Sequence, residues 1–293
     1  MNLAEISQLY KEQLTELYDA EEVQSLYLMV VEYLLGFSKT AYILKKQQTI
    51  SDADVVKFKG ILNELSYGKP IQYILGEAEF FGLKFNINPS VLIPRPETEE
   101  LVELVLESCK SLGFNGHDGN KINILDIGTG SGCIAISLKK HLPNANVYAL
   151  DISAEALATA KRNAELNDLI VDFIEADILN QSIIQSFDLS KLNVIVSNPP
   201  YIKEDEKPAM HQNVLANEPH TALFVSNDRP LVFYEAIADF AKANFEKEGR
   251  LFFEINEYLG KETVQMLDGK GFKDIVLRKD MQGKDRMIVA TYP

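Results

Sequence analysis

The hexapeptide SNPPYI, residues 197–202, combines an amide, two prolines and a phenol directly after the apolar run LNVIV. Neither Pro199 nor Pro200 has an N–H group, so a strand cannot continue its hydrogen-bond ladder through them. Glycine or aspartate would make such a turn equally well, and the turn alone does not explain the choice of Asn198 and Tyr201. The stretch is either a structural turn or the edge of a binding site.

A second candidate site is the glycine-rich stretch LDIGTGSGC, which joins a predicted strand to a predicted helix. Its glycines permit backbone conformations closed to other residues and let a nucleotide-like ligand approach the chain. The dinucleotide fingerprint would require glycine at position 133, where the chain has Cys133. The G-x-G-x-G spacing after Asp126 instead resembles the first motif of class I S-adenosylmethionine-dependent methyltransferases. The predicted cofactor loop consists of Gly128, Thr129, Gly130, Ser131 and Gly132.

Acidic residues end the next two predicted strands. Asp151 follows the apolar run NVYAL, and its carboxylate can accept two hydrogen bonds from ribose hydroxyls. The resemblance places adenine contacts at Asp177 and Ile178, after the strand that ends in EAD. Two structural interpretations stay open, namely that the turn alone requires the glycines and that Asp177 only caps a helix.

The pattern of apolar residues divides the chain into three parts. Residues 1–76 have helical spacing and predict a small helical domain. Residues 77–95 predict a β-hairpin linker, with a turn at 88–90 and a return strand at 91–93. From residue 96 to residue 293 helices and strands alternate, which predicts an α/β domain with a parallel, doubly wound sheet and an antiparallel pair at its end.

In such a sheet, ligands bind beyond the carboxyl ends of the strands, where LDIG, ALDIS and VSNPPY all lie. The NPPY tetrapeptide is similar to the signature of methyltransferases that modify planar nitrogens. The resemblance implies that the Asn198 side-chain oxygen and the Pro199 carbonyl accept hydrogen bonds from the target NH2 group, which would orient its lone pair. Pro200 would keep the corner rigid, and Tyr201 would stack on the planar group.

Several longer stretches resemble one family, the protein-(glutamine-N5) methyltransferases that act on peptide chain release factors. The stretches are GKPIQYILGEAEFFGLKFNINPSVLIPRPETEELVE, LDIGTGSGCIAISL, VSNPPYI, NEPHTAL and KDMQGKDR, within about residues 68–290. The resemblance implies a Rossmann-like class I methyltransferase domain, whose mostly parallel seven-stranded sheet has an antiparallel last strand, behind a helical domain that recognises the release factor. The implied substrate is the glutamine of the Gly-Gly-Gln motif in class I release factors.

The stretch IPRPETE favours enzymes of release factors over relatives that methylate a ribosomal protein. Arg95 and Glu97 would then line the substrate channel, although both are also ordinary charges for the start of a helix. Two stretches depart from the family pattern. These are FVSNDRPL after NEPHTAL, and FFEINEYLG, which lacks the expected glycine after the acid.

Composition limits the functions that these motifs allow. The chain has 293 residues, 29 Lys plus Arg, 43 Asp plus Glu and a net charge of −14. This charge and the absence of a basic run argue against direct nucleic-acid binding, and so against an N6-adenine DNA methyltransferase, which shares both short motifs. Two further rival functions are a non-catalytic nucleotide-binding module and a ribosomal-protein glutamine methyltransferase.

The predicted setting is the cytoplasm. The two cysteines, Cys109 and Cys133, have neither metal-ligand spacing nor a disulfide framework, and no metal site is predicted. The sequence shows neither a signal peptide nor an apolar run of the roughly 20 residues that a membrane helix needs. We expect a monomer without membrane contact.

Overall fold

The computed structural model describes residues 1–114, 121–180, 189 and 191–293. It divides the chain into two compact units, Met1–Gly76 with His211–Asn217, and Glu77–Met210 with Glu218–Pro293. No helix in these described stretches combines the length and apolarity needed to cross a membrane.

The first unit is all helical. Its helices are α1 (Leu3–Leu14), α2 (Ala20–Leu35), α3 (Lys39–Lys45), α4 (Asp52–Ser66), α5 (Ile71–Leu75) and the later segment α9 (Gln212–Asn217). Ser51 caps the start of α4, because its hydroxyl accepts a hydrogen bond from the backbone N–H of Asp54. Tyr10 and Tyr27 are fully buried, and each hydroxyl donates to a backbone carbonyl, so the core leaves neither hydroxyl without a partner.

The second unit begins with a β-hairpin of β1 (Glu77–Phe80) and β2 (Leu83–Asn86). Phe81 and Gly82 connect them with φ values of 50° and 73°, the two left-handed positions of a type I′ turn. The backbone N–H of Phe81 donates to Glu99 Oε1 at 2.7 Å, and its ring packs against His141. These contacts stabilise a backbone conformation that aromatic residues rarely adopt.

The predicted return strand at 91–93 is therefore wrong, although the predicted turn at 88–90 does form. Asn88 does form a tight turn, since its side-chain oxygen accepts from the Ser90 backbone N–H at 2.8 Å. The segment that follows makes no strand, although Val91 and Ile93 are buried. Apolar side chains here reflect packing against the rest of the unit and not an added strand.

The seven-stranded sheet has the predicted architecture. Its strands are β3 (Asn123–Ile127), β4 (Asn146–Asp151), β5 (Asp172–Glu175), β6 (Leu192–Ser197), β9 (Phe245–Glu254), β10 (Lys273–Lys279) and β11 (Asp285–Tyr292), in the order β10-β11-β9-β6-β3-β4-β5. The strands β5, β4, β3, β6 and β9 pair in parallel, and β11 is antiparallel to both of its neighbours. This confirms the mostly parallel sheet with an antiparallel last strand.

Helices connect these strands. They are α6 (Pro96–Ser111), α7 (Cys133–His141), α8 (Ala154–Leu166), α10 (Val232–Asn244) and α11 (Gly260–Gly269). A short parallel pair, β7 (Ile202–Lys203) with β8 (Phe224–Val225), lies beyond the sheet. It ties the chain after Tyr201 to the segment that follows Ala222.

The chain reverses direction across the sheet next to its central strand. From β3 it runs outward to β4 and β5, and it returns to the other side of β3 as β6. The Ser197 hydroxyl donates to the Ile127 carbonyl at 2.6 Å, which joins the ends of β6 and β3. Ligands of open parallel sheets bind beyond the strands at such a switch point, which places the candidate site here.

Candidate active site

A cavity of about 380 Å³ opens at the carboxyl ends of β3, β4, β5 and β6. Its walls also include the segment 90–92 that follows the hairpin, and Phe233 and Ile237 of α10. The predicted site residues that line it are Gly128, Gly130, Asp151, Asp177, Ile178, Asn198, Pro199 and Pro200. The structure therefore brings together residues from four separate strand ends.

The three loop glycines have different structural roles, two at the cavity wall and one in helix packing. Gly128 and Gly130 have φ values of 75° and 56°, and a Cβ atom added to either would meet no atom within 4 Å. Since both line the cavity, a side chain there would occupy ligand space. Gly132, with a φ of 83°, is packed instead, because its Cβ would lie 2.9 Å from Ile136 Cδ1 and 3.1 Å from Ala160 Cβ. It permits close packing of α7 against α8.

Thr129 and Ser131 do not line the cavity, and their hydrogen bonds stabilise the conformation of the loop. The Thr129 hydroxyl donates to Asp126 Oδ2 at 2.6 Å, and the Ser131 carbonyl accepts from Asn163 Nδ2 at 2.9 Å. Asp126 is fully buried and also accepts from the Ala135 backbone N–H. Burial raises the pKa of Asp126 to about 7, because the charged carboxylate loses hydration.

Asp151 connects the glycine loop to the start of α8. Its Oδ2 accepts from the Gly130 N–H at 2.8 Å and its Oδ1 from the Ser153 N–H at 2.9 Å. Burial raises the pKa of Asp151, and these backbone hydrogen bonds oppose that shift. Each carboxylate oxygen has a second lone pair, so the side chain can still accept hydrogen bonds from a ligand in the cavity.

Asp177 and Ile178 line the cavity beyond β5. The Asp177 carboxylate accepts from the Leu179 N–H at 2.9 Å, which is the kind of local capping interaction that the sequence also allowed. Capping and ligand contact are compatible, because one carboxylate offers several acceptor positions.

The charge of the cavity wall favours a particular ligand class. Among the described residues that line it, Asp151 and Asp177 alone have titratable side chains, and none is Lys or Arg. A pyrophosphate would meet no cationic side chain there. A nucleoside that carries a positive sulfonium or ammonium group fits these two carboxylates and the surrounding apolar residues.

The Asn198 side chain belongs to a buried hydrogen-bond network that the sequence did not reveal. Its Nδ2 lies 3.2 Å from Thr98 Oγ1, and the Thr98 hydroxyl donates to Glu254 Oε2 at 2.7 Å. Thr98 comes from α6 and Glu254 ends β9. Within the described ranges no group donates to Asn198 Oδ1 or to the Pro199 carbonyl, so both oxygens can accept from a ligand.

Tyr201 occupies the same network and does not line the cavity. Its hydroxyl donates to Glu254 Oε1 at 3.2 Å, and its ring packs against the apolar core. Burial raises the pKa of Tyr201 well above that of an exposed phenol. The predicted stacking of Tyr201 on a planar substrate stays a prediction.

The predicted channel residues lie at the start of α6, with Arg95 directly before the helix and Glu97 in its first turn. Arg95 forms an ion pair with Glu218 of the NEPHTAL stretch, and Glu218 is buried. Glu97 is half-buried and accepts from Gln282 Nε2 at 3.2 Å. The structure thus connects two motifs that lie far apart in the sequence, and neither Arg95 nor Glu97 lines the cavity.

Sequence analysis did not predict Thr98 and Glu254 as site residues. Glu254 is only 2% exposed. Burial raises its pKa, while Thr98, Tyr201 and the charge of Arg286 oppose that shift. The sequence does contain a signal for Glu254. It directly follows the apolar run LFF at the carboxyl end of a parallel strand, and burial of a carboxylate there costs free energy that is tolerated where the group has a function.

Comparison with known proteins gives consistent matches over most of the chain. The sequence matches the PrmC N-terminal domain at residues 5–76 and the methyltransferase small domain at residues 114–226. The release factor glutamine methyltransferase of Flavobacterium psychrophilum is 46% identical over 281 residues, which are 95% of each chain. That of Bacteroides thetaiotaomicron is 40% identical over 97% of this chain and 98% of its own length.

Solved structures agree on the fold. A Thermus thermophilus 16S rRNA methyltransferase in complex with AdoMet and guanosine superposes with a TM-score of 0.52 and 20% identity, over 74% of this chain and 50% of that chain. The human methyltransferase 10 domain containing protein superposes with a TM-score of 0.51 and 18% identity, over 72% and 90% of the two chains. At these identities the likeness concerns the fold alone, and it agrees with the predicted Rossmann-like methyltransferase domain.

Proposed function

Because this chain belongs to the family of release factor glutamine methyltransferases, we propose that it methylates the glutamine of the Gly-Gly-Gln motif in class I release factors. The methyl group is transferred from S-adenosylmethionine to the side-chain amide nitrogen. The observation that carries the proposal is the Asn198 side chain, which lines the cavity with its oxygen available while its nitrogen is held by Thr98.

The first step of the reaction is orientation of a weak nucleophile. The lone pair of an amide nitrogen is delocalised into its carbonyl group, and it must be turned toward the methyl donor. Asn198 Oδ1 and the Pro199 carbonyl accept hydrogen bonds from the two N–H groups of the glutamine amide. Pro199 and Pro200 restrict the backbone at this corner, which keeps the two acceptors at a fixed separation.

The cofactor binds across the same cavity. When bound, S-adenosylmethionine supplies a methyl group activated by its sulfonium centre. Gly128, Gly130, Asp151, Asp177 and Ile178 line this cavity and would hold the cofactor. The two glycines would let it approach the backbone, Asp151 would accept hydrogen bonds from its ribose hydroxyls, and Asp177 with Ile178 would contact its adenine. Thr129, Ser131 and Gly132 act indirectly, by holding the loop in shape.

The proposed chemistry needs no strong general base. The amide N–H becomes acidic only as the methyl group transfers, and its proton can then leave to solvent. Orientation of two bound reactants can account for on the order of 7 kcal/mol of the barrier or more. The absence of Lys and His from the described cavity wall is compatible with this requirement.

The remaining assignments concern the protein substrate. Residues 1–76 recognise the release factor, residues 77–95 link the domains, and residues 96–293 carry out methyl transfer. Arg95 and Glu97 guide the substrate segment, and Tyr201 contacts its planar group. The first unit exposes large apolar side chains such as Ile43 and Leu44, the latter 82% exposed, which suits binding of a protein.

The cellular setting forms part of the proposal. The enzyme acts as a monomer in the cytoplasm, where release factors work. Cys109 and Cys133 are both buried free thiols, which suits a reducing compartment. Its net charge of −14 disfavours direct nucleic-acid binding.

Mass spectrometry of a class I release factor after incubation with the enzyme and S-adenosylmethionine tests the proposal. We expect one added methyl group on the glutamine of Gly-Gly-Gln. Asn198→Ala should abolish transfer and keep most of the cofactor affinity. Asn244→Ala is the matched control, because among the described residues this amide bonds only to the Phe240 carbonyl of its own helix.

Three results would contradict the proposal. Methylation of duplex DNA without labelling of the release factor would indicate the adenine methyltransferase, and labelling of a ribosomal protein alone would indicate the related glutamine enzyme. Cofactor binding without methylation of any protein in a lysate that lacks this activity would indicate a binding module.

A further inference from the structure

The Asn198 side chain can serve the reaction in only one of its two amide orientations. The oxygen accepts hydrogen bonds and the NH2 group only donates. If the amide turned by half a rotation, its NH2 group would face the NH2 group of the substrate glutamine. The orientation therefore decides whether the cavity can hold the substrate amide, given the function proposed above.

The neighbours of Asn198 determine this orientation through the direction of one hydroxyl proton. Thr98 Oγ1 lies 2.7 Å from Glu254 Oε2 and 3.2 Å from Asn198 Nδ2. An ionised carboxylate only accepts, so the Thr98 proton points to Glu254. The Thr98 oxygen can then only accept from Asn198, which directs Nδ2 toward Thr98 and leaves Oδ1 for the substrate.

Glu254 is itself held in place from three sides. The Tyr201 hydroxyl donates to its Oε1, and the positive charge of Arg286 faces both groups. The Tyr234 hydroxyl donates to its backbone carbonyl at 3.1 Å. Thr98 is 3% exposed and Glu254 is 2% exposed, so water has little access to compete for these hydrogen bonds.

We propose that Thr98 and Glu254 are positioning residues that hold the Asn198 amide with its oxygen toward the substrate. Neither touches the cavity, and both act through Asn198. The proposal extends the assigned function, which requires the Asn198 oxygen but does not explain why the amide keeps this orientation.

The arrangement predicts a dependence on pH. A protonated Glu254 can donate to Thr98, whose own proton is then free to point to Asn198 and to favour the reversed amide. Burial and the nearby Glu97 raise the pKa of Glu254, and Thr98, Tyr201 and Arg286 lower it, with burial the largest effect. Cys133 and Tyr234 also face the carboxylate. Turnover should fall as the pH decreases through a value above the ordinary glutamate range.

The test measures kcat with a class I release factor at saturating S-adenosylmethionine. Thr98→Val keeps the size of the side chain and removes both hydrogen bonds, and kcat should fall by about tenfold. Thr98→Ser keeps the hydroxyl and should restore at least half of the wild-type kcat. Thr263→Val is the matched control, because Thr263 is also buried but, within the part of the chain that the structure describes, its hydroxyl bonds only to the Leu259 carbonyl one helical turn earlier.

A second variant examines the carboxylate. Glu254→Gln cannot change its protonation state, so its kcat should no longer fall on the acid side as that of the wild type does. Cofactor affinity, measured by calorimetry, should stay within about threefold of wild type in all four variants and so reports correct folding of the cavity.

Two results would overturn the proposal. One is a fall of less than about threefold in the kcat of Thr98→Val. The other is a decrease of kcat at low pH that is the same in Glu254→Gln as in the wild type. If Thr98→Val does not fold, the pH profile of Glu254→Gln decides. An active Asn198→Ala variant would instead refute the function on which the proposal rests.

Discussion

Replacement of Gly132 by alanine should destabilise the protein more than replacement of Gly130, although both glycines belong to the same loop. Both have left-handed backbone conformations, with φ values of 83° and 56°. For an L-residue, this conformation costs roughly 1–2 kcal/mol. The backbone contribution is therefore similar at the two positions, and the surroundings of the new methyl group decide the difference.

The surroundings differ strongly. At Gly132 the new Cβ would lie 2.9 Å from Ile136 Cδ1, 3.1 Å from Ala160 Cβ and 3.4 Å from Ala160 Cα. The Ile136 methyl can turn away, whereas Ala160 has no free rotamer, so α7 and α8 must separate. Overpacking of this kind costs about 1–3 kcal/mol, which gives a total of about 2–5 kcal/mol.

At Gly130 the new methyl group meets no protein atom within 4 Å and projects into the cavity. Gly130→Ala should therefore lower the free energy of unfolding by only about 1–2 kcal/mol. Its main effect should be on binding, with a loss of about tenfold or more in affinity for S-adenosylmethionine. Gly283→Ala is the control for backbone cost alone, since Gly283 has a φ of 85°, open surroundings and no cavity contact.

The assay combines urea denaturation without cofactor and calorimetric titration of the cofactor. Unfolding should be followed by circular dichroism, because the chain has no tryptophan. Equal destabilisation of the Gly132 and Gly283 variants would refute the packing argument. Wild-type affinity in Gly130→Ala would show that the loop does not contact the cofactor, and the cavity assignment would be lost.

Three further outcomes test other parts of the protein. Asp151→Ala should weaken binding of S-adenosylmethionine by about 1–3 kcal/mol in calorimetry, and an unchanged affinity would contradict the ribose assignment. The Asp126 pKa is raised from 3.8 to about 7, so between these values the native state binds more protons than the unfolded state and stability falls as pH rises. Asp126→Asn should remove that part of the slope in urea denaturation of the cofactor-free protein, and an unchanged slope would argue against a titrating Asp126. Leu44→Asp should raise the KM for the release factor severalfold without changing cofactor affinity, whereas an unchanged KM would exclude this surface.

The cavity could be predicted from sequence to the extent that its parts are local. The glycine loop, Asp151 and the NPP corner each follow a buried apolar strand. Because parallel strands end at the same edge of a sheet, the alternation of helices and strands was enough to bring these parts together. The G-x-G-x-G spacing then favoured a nucleoside cofactor over a dinucleotide.

The hairpin shows where local reasoning was insufficient. A turn at Asn88 is favoured by its side chain and by Pro89, and it does form. The hairpin turn itself lies at Phe81, whose left-handed conformation depends on contacts with Glu99 and His141. No property of an aromatic residue predicts that conformation.

The sequence by itself determined the chemical groups of this protein and the strand ends that carry them. Glycine conformations, proline's missing N–H and apolar periodicity act within a few residues, so they can be read along the chain. Only the tertiary structure decided which way the Asn198 amide faces and where Tyr201 points. Their partners lie far away in sequence, with Thr98 and Asn198 100 residues apart and Thr98 and Glu254 156 residues apart. Such contacts depend on the packing of α6 beside β9, which short-range patterns do not specify.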